Sequence, residues 1–376
     1  MGVVSKGDAS ERRYELDWLR VILFGILVIY HGALGFGPHA SEVYAFENDQ
    51  TGGPVLELAL YFSNTWRLPA LFLISGIGTY FATSRGPSMS FMGKRIVRLM
   101  VPVIFGTFVL NLVAGYATHH AMGHEVSWPY MIGRWVFSPD RYQVMHLWFL
   151  TNLTVYTVIC WPLFTWRERL EAMRIRPIAL VLGAVVAVTV IAVIFKPLAR
   201  GGQGDGYQFA WYWGLFVAGY LFGTQHRAIL DWTARSWRQL LVAGIISFAV
   251  EIVLIAQIDA RGDGFGSLAH SGGWAAQGAM PAYGPLTLAF TVFEGFNAWL
   301  FSLAAMGLCA RYLNQPSPRL VQLSQAVFPV YVLHYPVTVV ALAVAASLAW
   351  PWQVEMIVVI FVVYAVTWGL YLAAKK

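Results

Sequence analysis

An arginine and a histidine on the first apolar segment have the residue types and the spacing that could support chemistry inside a membrane. Arg20 lies 11 positions before His31 in a stretch that is otherwise almost wholly aliphatic or aromatic. A helix turns about 100° and rises about 1.5 Å per residue, so both side chains would share one face, roughly 16 Å apart. Ionisable residues deep in a span are costly and usually mark a functional site. The pair predicts a charged donor that enters at Arg20 and chemistry at His31.

Composition identifies the class of protein that must position these two residues. Of the 376 residues, 58% are hydrophobic and only 12% are charged, and the mean hydropathy is +0.59. Soluble domains carry about 25% charged residues. We therefore predict an all-α, polytopic transmembrane helix bundle, in which the net charge of +6 is no sign of a nucleic-acid partner.

Ten apolar stretches are long enough, or nearly long enough, to cross about 30 Å of hydrocarbon as helices. They lie near 17–36, 57–82, 98–117, 144–165, 177–196, 208–223, 238–257, 286–310, 324–346 and 353–373. The first could be taken for a signal peptide, but His31 interrupts its apolar run and no convincing cleavage site follows, so we expect it to be retained. We predict a flexible cytoplasmic N-terminus over 1–13 and a single membrane domain over 14–376.

The distribution of basic residues predicts the orientation. Arginine and lysine are concentrated in the N-terminal segment and in alternate loops, and loops rich in these residues face the cytoplasm. The few basic residues on the outer side would be Arg134, Arg141, Lys196, Arg200 and Arg261. Both termini are therefore predicted to be cytoplasmic, in a multi-pass protein of the bacterial inner membrane. The outer segment 258–285 is rich in glycine and proline, as expected for a mobile lid.

Projecting each span in its predicted direction separates the buried polar residues into two zones at different depths. The outer half or outer edge holds His31, Arg67, Asn111, His146, Glu251, Glu294 and Asn297, and the inner edge holds Arg20, Arg95 and Arg98. Asp17 lies one helical turn before Arg20 and is placed to orient that arginine. Two zones suit a protein that handles one substrate from each side of the membrane.

These residues also have simpler explanations. His31 could be a core histidine bonded to a neighbouring helix, and the inner arginines could be ordinary interfacial anchors. Arg67 must meet an anion or a water-filled cavity, because an arginine in mid-span is costly. Glu251 and Glu294 could simply be its partners, since buried charges are normally paired.

A further histidine, His334, lies within the ninth stretch, shortly before Pro336. A proline has no backbone N–H, so it leaves a carbonyl group in the preceding turn of a helix without its usual partner. His334 could bond that freed backbone group, or it could have a functional role.

The residues that bind metals in other proteins do not form a convincing site in this sequence. His119, His120 and His124 fall in a predicted outer loop, where neutral histidines need no ligand. The two cysteines, Cys160 and Cys309, fall within predicted spans and are too few for a disulfide framework. We therefore expect no bound metal.

The motifs in combination resemble those of a known family. Arg20-x10-His31 on the first span, followed by Arg95-x-x-Arg98 at the start of the third, resembles the acyltransferase-3 family of integral membrane acyltransferases. Three segments are similar to a branch of that family that attaches succinyl groups to osmoregulated periplasmic glucans. These segments are 66–76, 146–150 and 327–336. The resemblance covers essentially the whole membrane portion.

The resemblance implies roles for the polar residues. His31 would be catalytic, with Asp17 in support, and Arg20, Arg95 and Arg98 would bind the phosphate groups of a cytoplasmic acyl-coenzyme A. The acyl and acceptor pocket would contain Arg67, Ser75, His146, Glu251, Glu294 and His334. For a succinyl donor, Arg67 is the candidate to bind the distal carboxylate. Acyl-coenzyme A, with succinyl-coenzyme A as the expected form, would be a co-substrate, and no cofactor would be tightly bound.

Several alternatives stay open at this level. The chain could be an O-acetyltransferase that acts on another cell-envelope glycan, or a proton-coupled transporter in which His31, Glu251 and Glu294 form a relay. We favour direct transfer over a covalent acyl-enzyme at Ser75. The expected partners are the donor, a periplasmic glucan or other envelope glycan, and membrane lipids. The sequence does not decide the acyl group, the acceptor hydroxyl or whether the chain forms a homo-oligomer.

Overall fold

The computed structural model describes residues 13–375 apart from 39, 49, 85, 137–143, 174, 199–204 and 262–283. Every regular element in those residues is helical, as the all-α prediction expects. The helices are α1 (Tyr14–Leu34), α2 (Ala40–Tyr44), α3 (Gly53–Ala82), α4 (Met89–Phe105), α5 (Asn111–Ala121), α6 (Trp128–Val136), α7 (Trp148–Ile159), α8 (Trp161–Thr165), α9 (Arg167–Ala172), α10 (Pro177–Phe195), α11 (Gly206–Gly223), α12 (His226–Asp259), α13 (Pro285–Tyr312), α14 (Pro318–Ala345) and α15 (Trp352–Lys375). A π-helical turn, Gly106–Leu110, joins α4 to α5, and 3₁₀ turns cover Met145–Leu147 and Lys196–Leu198.

Seven helical segments of the described chain are long and apolar enough to cross a membrane. They are α1, the rod formed by α4, its π-helical turn and α5, and α10, α12, α13, α14 and α15. The protein is therefore a multi-pass membrane protein. Of the other predicted spans, 57–82 and 208–223 fall on α3 and α11, whereas 144–165 is divided among Met145–Leu147, α7 and α8. The count of ten spans and the cytoplasmic position of both termini stay predictions.

Some sequence predictions fall on positions that the structure does not describe. These positions include most of the predicted flexible N-terminus, the basic residues Arg141 and Arg200, and residues 262–283 of the predicted lid. Of the segment 258–285, the structure describes only the two ends, which adjoin α12 and α13.

Two helices begin well before the apolar stretches that predicted them. The third predicted span starts at 98, but α4 starts at Met89, where the side chain of Ser88 accepts a hydrogen bond from the Phe91 N–H. Similarly, α12 starts at His226 rather than near 238. Lysine, arginine and glutamine are good helix formers, so a helix can continue past its apolar part. Hydropathy therefore locates a span without marking the helix ends.

Helix α1 lies in the middle of the bundle, and a close glycine contact holds α3 beside α11. α1 packs against α3, α13, α14 and α15. A Cβ atom at Gly76 would collide with the carbonyl oxygen of Phe216, and one at Gly219 would collide with the carbonyl oxygen of Leu73. Small residues allow membrane helices to approach closely. α3 is thereby placed firmly between α1 and α11.

A polar contact attaches α9 to the C-terminal end of α3. The hydroxyl of Tyr80 donates to Glu171 Oε1 at 2.7 Å, and Arg167 Nε donates to the same oxygen at 2.6 Å. The guanidinium of Arg167 also lies 4.0 Å from the centre of the Tyr80 ring. The tyrosine hydroxyl, and then the guanidinium, lower the pKa of the Glu171 carboxyl below its usual value. This short helix outside the predicted spans is therefore held by an ionised carboxylate at neutral pH.

Candidate active site

Three buried histidines from three separate segments meet in one cluster. His31 lies near the end of α1, His146 in the 3₁₀ turn before α7, and His334 in the middle of α14. All three are at most 5% exposed. The ring centre of His334 lies 5.2 Å from that of His31 and 5.1 Å from that of His146. His334 is therefore the middle ring of the histidine cluster. The structure brings together all three histidines that the sequence assigned to the candidate site.

The proline in α14 explains how His146 is attached. Pro336 has no N–H, so the carbonyl group of Val332, four residues earlier, has no partner within the helix. His146 Nε2 lies 3.0 Å from that carbonyl oxygen and supplies the missing hydrogen bond. His334 instead bonds the carbonyl oxygen of Tyr331 through Nδ1, at 2.6 Å. The simpler explanation of His334 as the partner of the freed backbone group is therefore wrong, because His146 has that role.

Two tyrosines of α14 complete the walls of the cluster, and sequence reasoning missed both. The ring of Tyr335 stacks on His146 at 5.0 Å between centres and meets His31 at 5.4 Å. The hydroxyl of Tyr331 donates to the carbonyl oxygen of His146 at 2.5 Å. Tyr331 lies three residues before His334 and four residues before Tyr335. Neighbours at these spacings share a helix face, which was the available signal.

The backbone just before His146 is strained. Met145 has a φ of +45°, in a region that residues other than glycine rarely adopt. Such a conformation costs on the order of 1–3 kcal/mol and persists only where surrounding contacts enforce it. Here the enforcing contacts include the bonds from His146 to Val332 and from Tyr331 to the His146 carbonyl. Strained backbone of this kind often occurs at functional sites.

Arg67 is a fully buried cation beside the histidine cluster, with no carboxylate partner in the described chain. Its side chain is 1% exposed. Arg67 Nη1 donates to Ser63 Oγ at 3.1 Å, and the guanidinium carbon lies 4.1 Å from the centre of the Tyr30 ring. Its Nε is buried without a hydrogen-bond partner. Burying a charge without a counter-ion is expensive, so this arrangement indicates an anion-binding position.

The two carboxylates that could have neutralised Arg67 bind other groups. Glu294 accepts from Lys196 Nζ at 2.7 Å and from the Tyr207 hydroxyl at 2.9 Å. Glu251 accepts from the Tyr61 hydroxyl at 2.5 Å and from the Asn297 amide. Lys196, which was expected among the basic residues of the outer side, is buried and pairs with Glu294. Its position at the very end of an apolar stretch was the signal that could have revealed this.

A cavity, which we call the arginine cavity, lies along α1 on the side of Arg20, away from the histidine cluster. It has a volume of about 470 Å³, within the usual range for small-molecule sites. Arg20, Arg95, Arg98 and Lys94 line it, together with apolar and small residues from α1, α3, α4, α7 and α14. No acidic residue of the described chain is among its lining residues. The cavity is therefore strongly positive and suited to a polyanion.

The arginines in this cavity are held in different ways. Arg95 Nε donates to Thr157 Oγ1 at 2.9 Å, and its Nη2 donates to Thr79 Oγ1 at 2.7 Å. Arg20 Nη1 lies 3.4 Å from Asp17 Oδ1, as the spacing of the two residues predicted. Arg98 has an exposed side chain that lines the cavity. Arg95 is thus fixed by neutral hydroxyl groups that leave its charge uncompensated.

Two predicted site residues lie at the arginine cavity rather than at the histidines. Asp17 contacts Arg20 and lies about 21 Å along α1 from His31, by the rise of a helix. Ser75 lines the arginine cavity, and its hydroxyl donates to the Leu71 carbonyl oxygen at 2.7 Å. The structure therefore places neither residue beside His31.

Three aromatic side chains separate the arginine cavity from the histidine cluster. A small cavity of about 30 Å³ is lined by His31, Arg67, His146, Phe149, Tyr331, Tyr335 and apolar neighbours. Phe149 and Tyr331 line both cavities, and Phe24 lines the arginine cavity. The ring centres of Phe24, Phe149 and Tyr331 lie between 5.2 and 6.4 Å apart. One layer of rings, the aromatic wall, is thus the barrier between the two polar zones.

Comparisons with known proteins identify the family of the chain. Proteins named Glucans biosynthesis protein C from Salmonella heidelberg and Salmonella agona are each 26% identical to the chain over 173 residues, which is 46% of this chain and 44% of each relative. The match thus covers less than half the length of these relatives. No solved structure matches the chain significantly. A family model described as an acyltransferase domain matches residues 13–372. With nearly its whole length matched, the chain belongs to the acyltransferase-3 family.

Proposed function

We propose that this protein transfers an acyl group, most specifically succinyl, from acyl-coenzyme A to hydroxyl groups of a periplasmic glucan. The observation that carries the proposal is the pair of cavities separated by the aromatic wall. One cavity is lined by basic residues and by no carboxylate of the described chain, and the other is lined by buried histidines and by an arginine without a carboxylate partner. The family supports acyl transfer, and the names of the relatives support a role in glucan biosynthesis.

The arginine cavity would bind the phosphate groups of the donor at the cytoplasmic side of the inner membrane. Arginine binds phosphate oxygens through forked, charge-assisted hydrogen bonds. Arg20, Arg95 and Arg98 all line the arginine cavity. The pantetheine arm would then extend along α1 toward His31. The distance of roughly 16 Å between Arg20 and His31 along the helix suits an extended arm of that kind.

At the histidine cluster, His31 would act as the general base. Its imidazole takes the proton from a glucan hydroxyl while that oxygen attacks the thioester carbonyl carbon. The carbon–sulfur bond then breaks, and the sulfur of coenzyme A takes the proton back from His31 as it leaves. The products are an ester and free coenzyme A. Ser75 is not placed to form an acyl-enzyme in this scheme, because its hydroxyl donates to a backbone carbonyl at the arginine cavity.

The aromatic wall would keep water away from the thioester. The cavity at His31 has room for about one water molecule. The acyl end of the donor can therefore enter only when Phe149 or Tyr331 moves aside. A site that opens for its substrate and otherwise excludes water favours transfer over hydrolysis.

Arg67 would select the acyl group. It lines the same small cavity as His31 and has no carboxylate partner in the chain that the structure describes. The distal carboxylate of a succinyl group would supply that missing anion, whereas an acetyl group has none. A proton-relay transporter is less well supported, because neither Glu251 nor Glu294 contacts a histidine of the cluster.

We expect Arg98→Ala to weaken donor binding more than it slows chemistry. Each charged contact to phosphate is worth about 1.5–3 kcal/mol, so the Kd for acyl-coenzyme A should rise roughly ten- to a hundredfold. Arg95→Ala should have a similar effect, with added disturbance because Thr79 and Thr157 lose a partner. The measurement is titration of purified protein in lipid nanodiscs with a non-hydrolysable acyl-coenzyme A analogue.

The matched control is Arg319→Ala, an exposed arginine on α14 that does not line the arginine cavity. It should leave the donor Kd unchanged. If both Arg95→Ala and Arg98→Ala also bind the donor as the wild type does, these arginines are topological anchors only.

The proposal as a whole is tested by reconstituted transfer. Purified protein in proteoliposomes would receive succinyl-coenzyme A on one side and linear or cyclic glucan on the other, with mass spectrometry of the glucan as the readout. A mass increase of one succinyl group per modified hydroxyl is expected. Acetylated glucan with acetyl-coenzyme A alone would support the acetyltransferase alternative. Uptake of an unmodified solute driven by a proton gradient, without any acyl transfer, would contradict the proposal.

A further inference from the structure

The histidine cluster contains three buried ring nitrogens without a hydrogen-bond partner. They are His31 Nδ1, His146 Nδ1 and His334 Nε2. A buried polar atom that makes no hydrogen bond is costly, and native structures contain few of them. Three such atoms on neighbouring rings therefore call for an explanation from the cluster itself.

Backbone carbonyls determine the protonation of two of these rings. A carbonyl oxygen can only accept, so the nitrogen that bonds it must carry a proton. His334 Nδ1 bonds the Tyr331 carbonyl, and His146 Nε2 bonds the Val332 carbonyl. The buried cation Arg67 lines the same cavity and disfavours further positive charge, so the rings are neutral. The unpartnered His334 Nε2 and His146 Nδ1 are consequently lone-pair acceptors.

His31 is then the only histidine of the three that can supply a donor to these acceptors. Its ring centre lies 5.2 Å from that of His334, a separation at which a nitrogen of one ring can reach hydrogen-bond distance of a nitrogen of the other. A proton on His31 Nδ1 would satisfy both His31 Nδ1 and His334 Nε2 with one bond. A proton on His31 Nε2 would leave three bare acceptors buried against one another.

We infer that His334 is a positioning residue whose Nε2 accepts a hydrogen bond from His31 Nδ1–H and so keeps the lone pair of His31 on Nε2. This rests on the proposed function in one respect only, namely that His31 is the base. Of the two His31 nitrogens, Nδ1 is the one buried without a partner, which leaves Nε2 to face the small cavity. His334 thus orients His31 in the way that a buried carboxylate orients the catalytic histidine of serine proteases.

The tautomer can be measured without any acyl transfer. Protein labelled with ¹⁵N-histidine in lipid bilayers would be studied by solid-state NMR, with the His31 signals assigned from their loss in His31→Asn. We expect a protonated Nδ1 and a bare Nε2 for His31. In His334→Asn, which has no acceptor at the position of Nε2, His31 should populate the opposite tautomer. A bare Nδ1 on His31 in the wild type, or an unchanged His31 tautomer in His334→Asn, would overturn the inference.

Two variants of His334 separate positioning from mere anchoring. The amide N–H of asparagine can replace the Nδ1–H bond to the Tyr331 carbonyl but cannot reach the place of Nε2. Glutamine reaches that place with its amide oxygen as an acceptor. We expect His334→Asn to lower kcat on the order of 10–100-fold, as for other groups that orient a histidine, with KM for the donor unchanged. His334→Gln should retain clearly more activity than His334→Asn.

Equal kcat values for the two variants, or a lower kcat for His334→Gln than for His334→Asn, would overturn the positioning role. The failure of the proposed function looks different. In that case the wild type itself transfers no acyl group, while the NMR measurement still decides the tautomer.

Discussion

Replacing His31 with alanine is expected to lower acyl transfer by about 10²–10⁴-fold, the usual cost of losing a general base. The other two histidines of the cluster are not expected to replace it, because their hydrogen bonds to backbone carbonyls hold each ring at its own position. Donor binding should stay close to the wild-type value, since the arginine cavity does not include His31. The assay follows initial rates of transfer from succinyl-coenzyme A to glucan, with donor affinity measured separately.

The matched control for this prediction is His120→Ala. His120 is an exposed histidine on α5 whose ring meets that of Tyr116. It should leave the transfer rate unchanged, which would show that loss of a histidine as such has no effect. A correctly folded His31→Ala protein that transfers at the wild-type rate would falsify the assignment of the base.

Replacing Arg67 with methionine is expected to change which acyl group the protein uses. Loss of a charge-assisted bond to the succinyl carboxylate should cost about 1.5–3 kcal/mol, or roughly ten- to a hundredfold in succinyl transfer. Transfer of an acetyl group, which has no carboxylate, should be retained. The measurement is a competition between succinyl- and acetyl-coenzyme A, with the wild type and the variant compared at equal protein concentration.

The structure makes this second experiment interpretable. If Glu251 and Glu294 paired with Arg67, its removal would strand two buried carboxylates, but both bind other residues. Exchange of a buried unpaired cation for an apolar side chain of similar volume is therefore expected to be neutral or stabilising. Ser63→Ala is the matched control, because it removes a hydrogen bond of Arg67 and leaves the charge in place. An unchanged preference in a folded Arg67→Met protein would remove Arg67 from the acyl pocket.

The sequence by itself determined the class of protein and the spacing of the polar residues along α1. Long apolar stretches must be helical in hydrocarbon, since no water is present to satisfy the backbone. The separation of Arg20 and His31 depends only on the geometry of one helix, so their positions on α1 were predictable. The family was also recognisable, because its motifs are short, continuous segments of the chain.

Only the tertiary structure decided which polar groups meet. Glu294 pairs with Lys196 from the 3₁₀ turn after α10, and His146 bonds the carbonyl that Pro336 frees in α14. Hydropathy gives the depth of a residue but not the rotation of its helix or the choice of neighbour. Side-chain partners depend on both, because bonds of about 3 Å form only where two helices present matching atoms at one point. The lone cation at Arg67 and the order of the three histidines are consequences of that packing.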